Sequence, residues 1–212
     1  PVVAVITSMA QPLGTHIGNA LEVKDAIDVL AGRTQGDLLE ISLLLGSHML
    51  VLAEKVKTLP EARAMLENAL SSGAGLRKLA EMIAAQGGDP RVVEDLSLLP
   101  QAAVKRVMRA EMAGYLSAMD TTALGMAAQR MGAGRAKKSD MLDYSVGYVL
   151  HVRLGDEVTE DTLLATLYAR NEAEAEKAEK AIRKALTIAK EKPQTPKLWD
   201  AVVTAEGITY NR

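Results

Sequence analysis

Three histidines, His16, His48 and His151, are the side chains best suited to move protons or bind a metal near neutral pH. None stands four residues from another, and the sequence contains no cysteine. Thiolate metal sites and thiol nucleophiles are therefore excluded, and the histidines lack the spacing of a zinc motif. His48 and His151 read as structural or surface residues. No GxSxG elbow, no P-loop and no GxGxxG after a strand occurs. Gly132-Ala133-Gly134-Arg135 follows a helical stretch instead of opening one, so it reads as a helix stop made with left-handed glycines, with a phosphate cradle as the alternative. Arg135, Lys137 and Lys138 beside it could meet an anion, although cations near a helix C-terminus are favoured by the macrodipole without any ligand. Glu172, Glu174, Glu176 and Glu179 with Lys177, Lys180 and Lys184 make an ion-paired, solvated face, for instance Glu176 with Lys180.

The elements that must position these residues fall into two textures. Val2 to Met9 is an apolar, largely β-branched run broken by Gln11-Pro12-Leu13-Gly14, which suits a parallel strand buried on both faces. Helical spacing follows over Leu21 to Leu30, Asp37 to Lys57, Pro60 to Leu70 and Gly75 to Gln86, and Gly87-Gly88-Asp89-Pro90 ends the run. From Pro100 the pieces are short and β-prone: Val104–Ala110, Gly114–Met119, Gly147–Val152 and Leu163–Ala169. One helix interrupts them, Thr121 to Met131, capped by Asp120 or Thr121. A charged, alanine-rich helix spans Glu172 to Lys192 and stops at Pro193. The strand at Gly147, the Gly155-Asp156 turn and the strand at Leu163 form a pattern seen in barrel-sandwich folds such as lipoyl carriers. No Asp-Lys-Ala tip lies between these strands, so a structural hammerhead is the better reading. The expected class is α/β (α+β), a strand-plus-helix layer followed by a strand-rich barrel-sandwich or hammerhead domain.

The 212 residues, 48% hydrophobic and 25% charged, have an ordinary globular balance. A formal net charge of -2 gives no basic field for a nucleic-acid backbone or an acidic membrane, so neither is an expected partner. The longest apolar stretch, Ile41 to Ala53, is interrupted by polar residues and falls short of the ~20 residues that span a bilayer. The first residues carry no basic leader or cleavage pattern, and the missing cysteines suit a reducing cytoplasm, which is the expected compartment. Phe is absent and Trp occurs once, so the core must be packed from Leu, Ile, Val, Met and Ala.

Ser8-Met9-Ala10-Gln11-Pro12-Leu13-Gly14 followed by Gly18-Asn19-Ala20-Leu21-Glu22-Val23-Lys24 closely resembles a block of bacterial pyrimidine nucleoside and thymidine phosphorylases. Ala85-Gln86-Gly87-Gly88-Asp89-Pro90, Leu99-Pro100-Gln101-Ala102, Leu124-Gly125-Met126-Ala127-Ala128, Gly132-Ala133-Gly134-Arg135 and Asp143-Tyr144-Ser145-Val146-Gly147 fall in the family's order and spacing. The similarity covers nearly the whole chain and weakens after Pro193. The resemblance implies the C-terminal half of such an enzyme: residues 1–99 from the glycosyltransferase α/β domain, 100–192 the hammerhead, and 193–212 a C-terminal tail. Family members are pentosyltransferases of pyrimidine salvage, cleaving thymidine, uridine or deoxyuridine with inorganic phosphate as co-substrate to free base and pentose 1-phosphate. The implied parent is a cytoplasmic homodimer. Its glycine-rich phosphate loop, Arg-Ser-Lys base clamp and G-x-G-A-F loop have no counterpart here. The implied catalytic and substrate-binding sets are accordingly empty, and the N-terminal half is the implied partner.

One family site has matching positions. The resemblance implies K+ or Ca2+ held by main-chain carbonyls of Leu13 and His16 and by the carboxylate of Asp25, where the family usually has Glu, with the other ligands in the N-terminal half; Ala10 likewise replaces a small polar or acidic residue. Oxygen donors suit such hard cations, and an ordinary solvent-facing Asp25 is the simpler alternative. A reading of another class is a non-catalytic structural or interaction module reusing the fold. A nucleotide phosphorylase acting on AMP shares the fold but usually departs from the Gly18–Val23 pattern.

Overall fold

A computed structural model describes residues 1–211. Chain order is β1 (Ala4–Thr7), β2 (His16–Ile17), α1 (Asn19–Leu30), α2 (Asp37–Leu52), α3 (Leu59–Ser71), α4 (Ala74–Ala85), β3 (Val104–Arg109), β4 (Gly114–Met119), α5 (Thr121–Ala128), β5 (Gly147–Leu150), β6 (Glu157–Val158), β7 (Leu163–Ala169), α6 (Glu172–Ala185), β8 (Leu186–Ala189), β9 (Trp199–Thr204) and β10 (Gly207–Tyr210). Among the described residues, six α-helices and three small antiparallel sheets make a mixed α+β fold. Among the described residues no barrel is closed, so the barrel element of the expected class is replaced by open sheets of three and four strands.

The chain forms two compact units, and each takes segments from separate parts of the sequence. The first contains Pro1–Ser8, Ala26–Leu96 and the stretch from Lys197. Its sheet has the order β1-β9-β10. β1 pairs antiparallel with β9, Ala4 opposite Val203 and Ile6 opposite Ala201, and most of it is exposed. The antiparallel pairing corrects the parallel direction expected over Val2 to Met9. An apolar run fixes neither strand direction nor two-sided burial, and here the partner is a hairpin from the far end of the chain, inside the segment expected to be a tail.

The helices of this unit bury one stripe each. Val29, Leu39 and Leu43 form a small core, joined by Leu38, Leu66 and Leu70. Thr58 and Glu61 start α3 with a reciprocal capping box, which satisfies two donors that the first turn leaves open. α2 stops at Leu52 instead of Lys57. Its end is a Schellman closure: Lys55 N–H donates to Leu50 O and Glu54 N–H to Val51 O, both at 3.0 Å, with Glu54 left-handed at φ 55°. A non-glycine residue in that conformation gives no sequence signal for a helix end.

The second unit contains Met9–Asp25 and Ser97–Pro196. Its sheets run β2-β5-β7-β3 and β6-β4-β8. Met108, Leu116, Leu124, Tyr148, Leu150, Leu164, Leu167 and Ile182 are its large fully buried side chains, each worth about 1.5–3 kcal/mol of apolar transfer. Tyr148 supplies aromatic mass where Phe is lacking; its hydroxyl donates to Leu124 O at 2.8 Å. Asn171 caps α6 by accepting from Glu174 N–H. α6 turns Ala175, Ala178, Ile182 and Ala185 inward and its charged residues outward.

The long charged helix expected to Lys192 ends at Ala185. Leu186-Thr187-Ile188-Ala189 leaves the helix as β8 and pairs antiparallel with β4. Pairing with an available strand overrides the helical propensity of Ala and Lys. α5 is also shorter than expected, ending at Ala128; a π-turn over Gln129–Ala133 follows, with Gly132 at φ 109°. Asp120, not Thr121, is the cap, accepting from Ala123 N–H at 2.8 Å.

Candidate functional site

The sequence blocks that suggested a function meet within the second unit. Gly18 and Gly147 lie against one another, both at positive φ, and a Cβ on Gly147 would fall 2.2 Å from Ile17 O. A Cβ on Gly18 would fall 2.5 Å from Val146 O, so only glycine permits this backbone approach. Asn19 donates from Nδ2 to Ala133 O at 2.8 Å, and Ala20 N–H donates to Tyr144 O at 3.0 Å. The Glu22 carboxylate accepts from Gly18 N–H at 3.2 Å over the first turn of α1, where a negative charge is favoured. Asp143 accepts from both the N–H and the hydroxyl of Ser145. The Gly18–Glu22, Gly132–Arg135 and Asp143–Gly147 blocks therefore form one interlock, whose visible chemistry is structural.

The Gly132–Arg135 element is a helix stop, as its position after a helix implied. The backbone donors just after it are engaged from inside. The Asp140 carboxylate accepts from Ala136 N–H at 3.1 Å and Lys137 N–H at 3.0 Å, and Arg135 Nε donates to Asp140 O. His151 lies on an exposed position with Nε2 2.8 Å from Thr166 Oγ1. Partial burial, then the nearby Lys105 charge, pushes its pKa below the usual imidazole value. His48 sits in α2 with Nε2 buried and unpartnered among the described residues. Ion pairs follow the charge pattern: Lys180 binds Glu176 at 2.6 Å, and Glu179 is gripped by Arg106 at 2.6 Å and Arg183 at 2.9 Å.

Leu13, His16 and Asp25 were expected to share a cation. His16 Nδ1 lies 3.4 Å from Asp25 Oδ1, and their side chains are only 14% and 6% exposed, so Asp25 is not the solvent-facing residue of the simpler alternative. Thr15 Oγ1 approaches the same ring nitrogen at 3.1 Å. The Leu13 carbonyl faces elsewhere. Arg153 donates from Nη1 to Pro12 O at 2.7 Å and from Nη2 to Leu13 O at 3.4 Å. A hard cation needs several oxygens converging on one point at about 2.3–2.6 Å for calcium. Here the Leu13 oxygen lies 3.4 Å from a guanidinium and the Asp25 carboxylate 3.4 Å from an imidazole, groups that would have to turn aside for one ion to bridge the two. Among the described residues no three His, Cys, Asp or Glu side chains cluster as a metal site.

Arg153 is the residue that sequence reasoning passed over. It falls just beyond the β-prone Gly147–Val152 piece; the Gly155-Asp156 turn two residues on is its one signal. That turn fixes its backbone, since Asp156 accepts from Arg153 N–H at 2.7 Å.

No helix among the described residues is long and apolar enough to cross a membrane. Residues 115–189 match the family model of the pyrimidine nucleoside phosphorylase C-terminal domain. Over 169 residues the chain is 48% identical to a pyrimidine-nucleoside phosphorylase of Geobacillus stearothermophilus, taking in 80% of this chain and 39% of that protein. The Bacillus subtilis (strain 168) enzyme of the same name is 49% identical over the same shares. That of Staphylococcus aureus (strain USA300) is 43% identical over 186 residues, 88% of this chain and 43% of the relative. The chain thus spans about two fifths of the length of the curated relatives it matches. Identity at this level, with the match to the C-terminal-domain model, means that the chain belongs to the pyrimidine nucleoside phosphorylase family.

Proposed function

We propose that this chain is the C-terminal portion of a pyrimidine nucleoside phosphorylase, and that it buttresses a separate lobe holding phosphate and base. In the reaction a phosphate oxygen forms a bond to C1 of the pentose and the N-glycosidic bond breaks. Its electron pair leaves with the pyrimidine, which takes up a proton. Cations must clamp the phosphate and donors must steady the departing base anion. The observation that carries the reading is 48–49% identity over 80% of the chain to two enzymes named for this activity. Residues 1–99 are assigned to the glycosyltransferase α/β domain, 100–192 to the hammerhead and 193–212 to a C-terminal extension. The intact protein is taken to be a cytoplasmic homodimer acting on thymidine or uridine. K+ or Ca2+ at Leu13, His16 and Asp25 would require Arg153 to leave the loop carbonyls.

A test is to mix the chain with a separately expressed N-terminal portion of the Bacillus subtilis relative and follow thymine release from thymidine. Release should need both pieces and inorganic phosphate. A demonstrated complex without turnover, or turnover at an enzyme-like rate by these residues alone, rejects the proposal. The second reading, an interaction module, is favoured by the exposed apolar residues of the β1-β9-β10 sheet, Ile6, Ile208 and Tyr210. It predicts a stable complex with no nucleoside chemistry.

A further inference from the structure

We propose that the Arg153 guanidinium is the resident cation of the Gln11–Leu13 loop, so that this loop is held by a side chain and not by K+ or Ca2+. Two contacts place it there. Nη1 meets Pro12 O at 2.7 Å and Nη2 meets Leu13 O at 3.4 Å, which satisfies two successive carbonyls with one planar fork. The neighbouring Leu154 N–H donates to Gln11 Oε1 at 2.9 Å, extending the grip by one residue. The base of the arm is itself anchored, because Asp156 accepts from Arg153 N–H and Asp156 N–H returns a bond to Arg153 O at 3.1 Å. The positive charge is therefore delivered from a fixed turn to Pro12 O and to Leu13 O, the second of which the implied ion would need. A free cation at Leu13 O would face a like charge on the guanidinium. The inference concerns the loop's charge alone and stands whether or not the phosphorylase reading holds.

The test is thermal unfolding of the full chain in tetramethylammonium chloride, in KCl at matched ionic strength, and with CaCl2 added. Wild type, Arg153→Met and Arg153→Lys are compared. Wild type should melt at one temperature in all three salts. Arg153→Met should melt roughly 5 °C lower in tetramethylammonium and recover at least half of that loss in K+ or Ca2+. Arg153→Lys, with a point charge that cannot fork, should show a smaller loss and a smaller salt response. Wild type stabilised by either ion as strongly as Arg153→Met overturns the proposal, leaving an ion seated beside the arginine. Arg153→Met that melts with wild type, or that neither ion restores, overturns it too. Should Arg153→Met not fold, Arg153→Lys decides, and indifference to both ions counts against the proposal.

Discussion

Replacing Tyr148 by Phe removes a single oxygen from the centre of the second unit. The ring is completely buried and its hydroxyl donates to Leu124 O at 2.8 Å. A net intramolecular hydrogen bond contributes about 1 kcal/mol, and the small void left by the oxygen adds a little, so a loss of about 1–2 kcal/mol is expected at pH 7. With a urea m-value of about 2 kcal/mol/M, the midpoint should fall by about 0.5–1 M. The same burial makes the effect pH-dependent. It pushes the Tyr148 pKa well above the ordinary phenol value of about 10, because the phenolate would be stripped of water. An acid whose folded pKa is raised contributes stability that is complete below its unfolded pKa and is lost above it. At pH 11 the unfolded phenol is largely ionised while the native one is not, which costs the wild type about 1.4 kcal/mol. Tyr148→Phe has no such loss, so its deficit should nearly vanish at pH 11. Urea titrations at the two pH values measure this directly. An unchanged gap at pH 11 would refute the reasoning from burial, and equal midpoints at pH 7 would refute the hydrogen bond.

Gly147→Ala should destabilise the chain by about 3 kcal/mol or more, since its Cβ would meet Ile17 O at 2.2 Å and its φ is +148°; a urea midpoint near that of wild type would refute the glycine contact. Glu54→Gly should stabilise by about 0.5–1 kcal/mol by relieving the left-handed closure of α2, measured as a rise in melting temperature. Glu179→Gln should flatten the acid limb of a stability-pH curve. Burial pushes the Glu179 pKa up, but hydrogen bonds from Arg106 and Arg183 outweigh it and hold the group below the usual range. A depressed carboxylate stabilises above its unfolded pKa of about 4.5 and loses that contribution as pH falls through the folded value. Parallel wild-type and Glu179→Gln curves below pH 4 would contradict this.

Local pattern was legible where one segment carries its own signal. The helices near Leu21–Leu30, Pro60–Leu70 and Gly75–Gln86, and the strands over Val104–Ala110, Gly114–Met119 and Leu163–Ala169, stand within one or two residues of expectation. What failed to show depends on distant partners. The Val2–Met9 run could not announce an antiparallel neighbour beginning at Trp199, nor could Leu186–Ala189 announce β4 from inside a stretch rich in Lys and Ala. The site was legible only as motif blocks. Their mutual approach, Asn19 to Ala133 and Gly18 to Gly147, needs the folded backbone, and Arg153 reaches Pro12 across a sequence separation of 141 residues.

That separation has a consequence for the order of assembly. During synthesis β2 leaves the ribosome long before β5, the strand it pairs with, exists. Loop-closure entropy grows only slowly with length, by about 0.6 kcal/mol per doubling, so the wait costs little at equilibrium and much in exposure time. The segment from Met9 to Asp25 therefore completes its unit as a latecomer to a scaffold made downstream, although it is translated before the rest of that unit. An early arrest of translation should leave it unsheltered, a natural mark for chaperones and proteases.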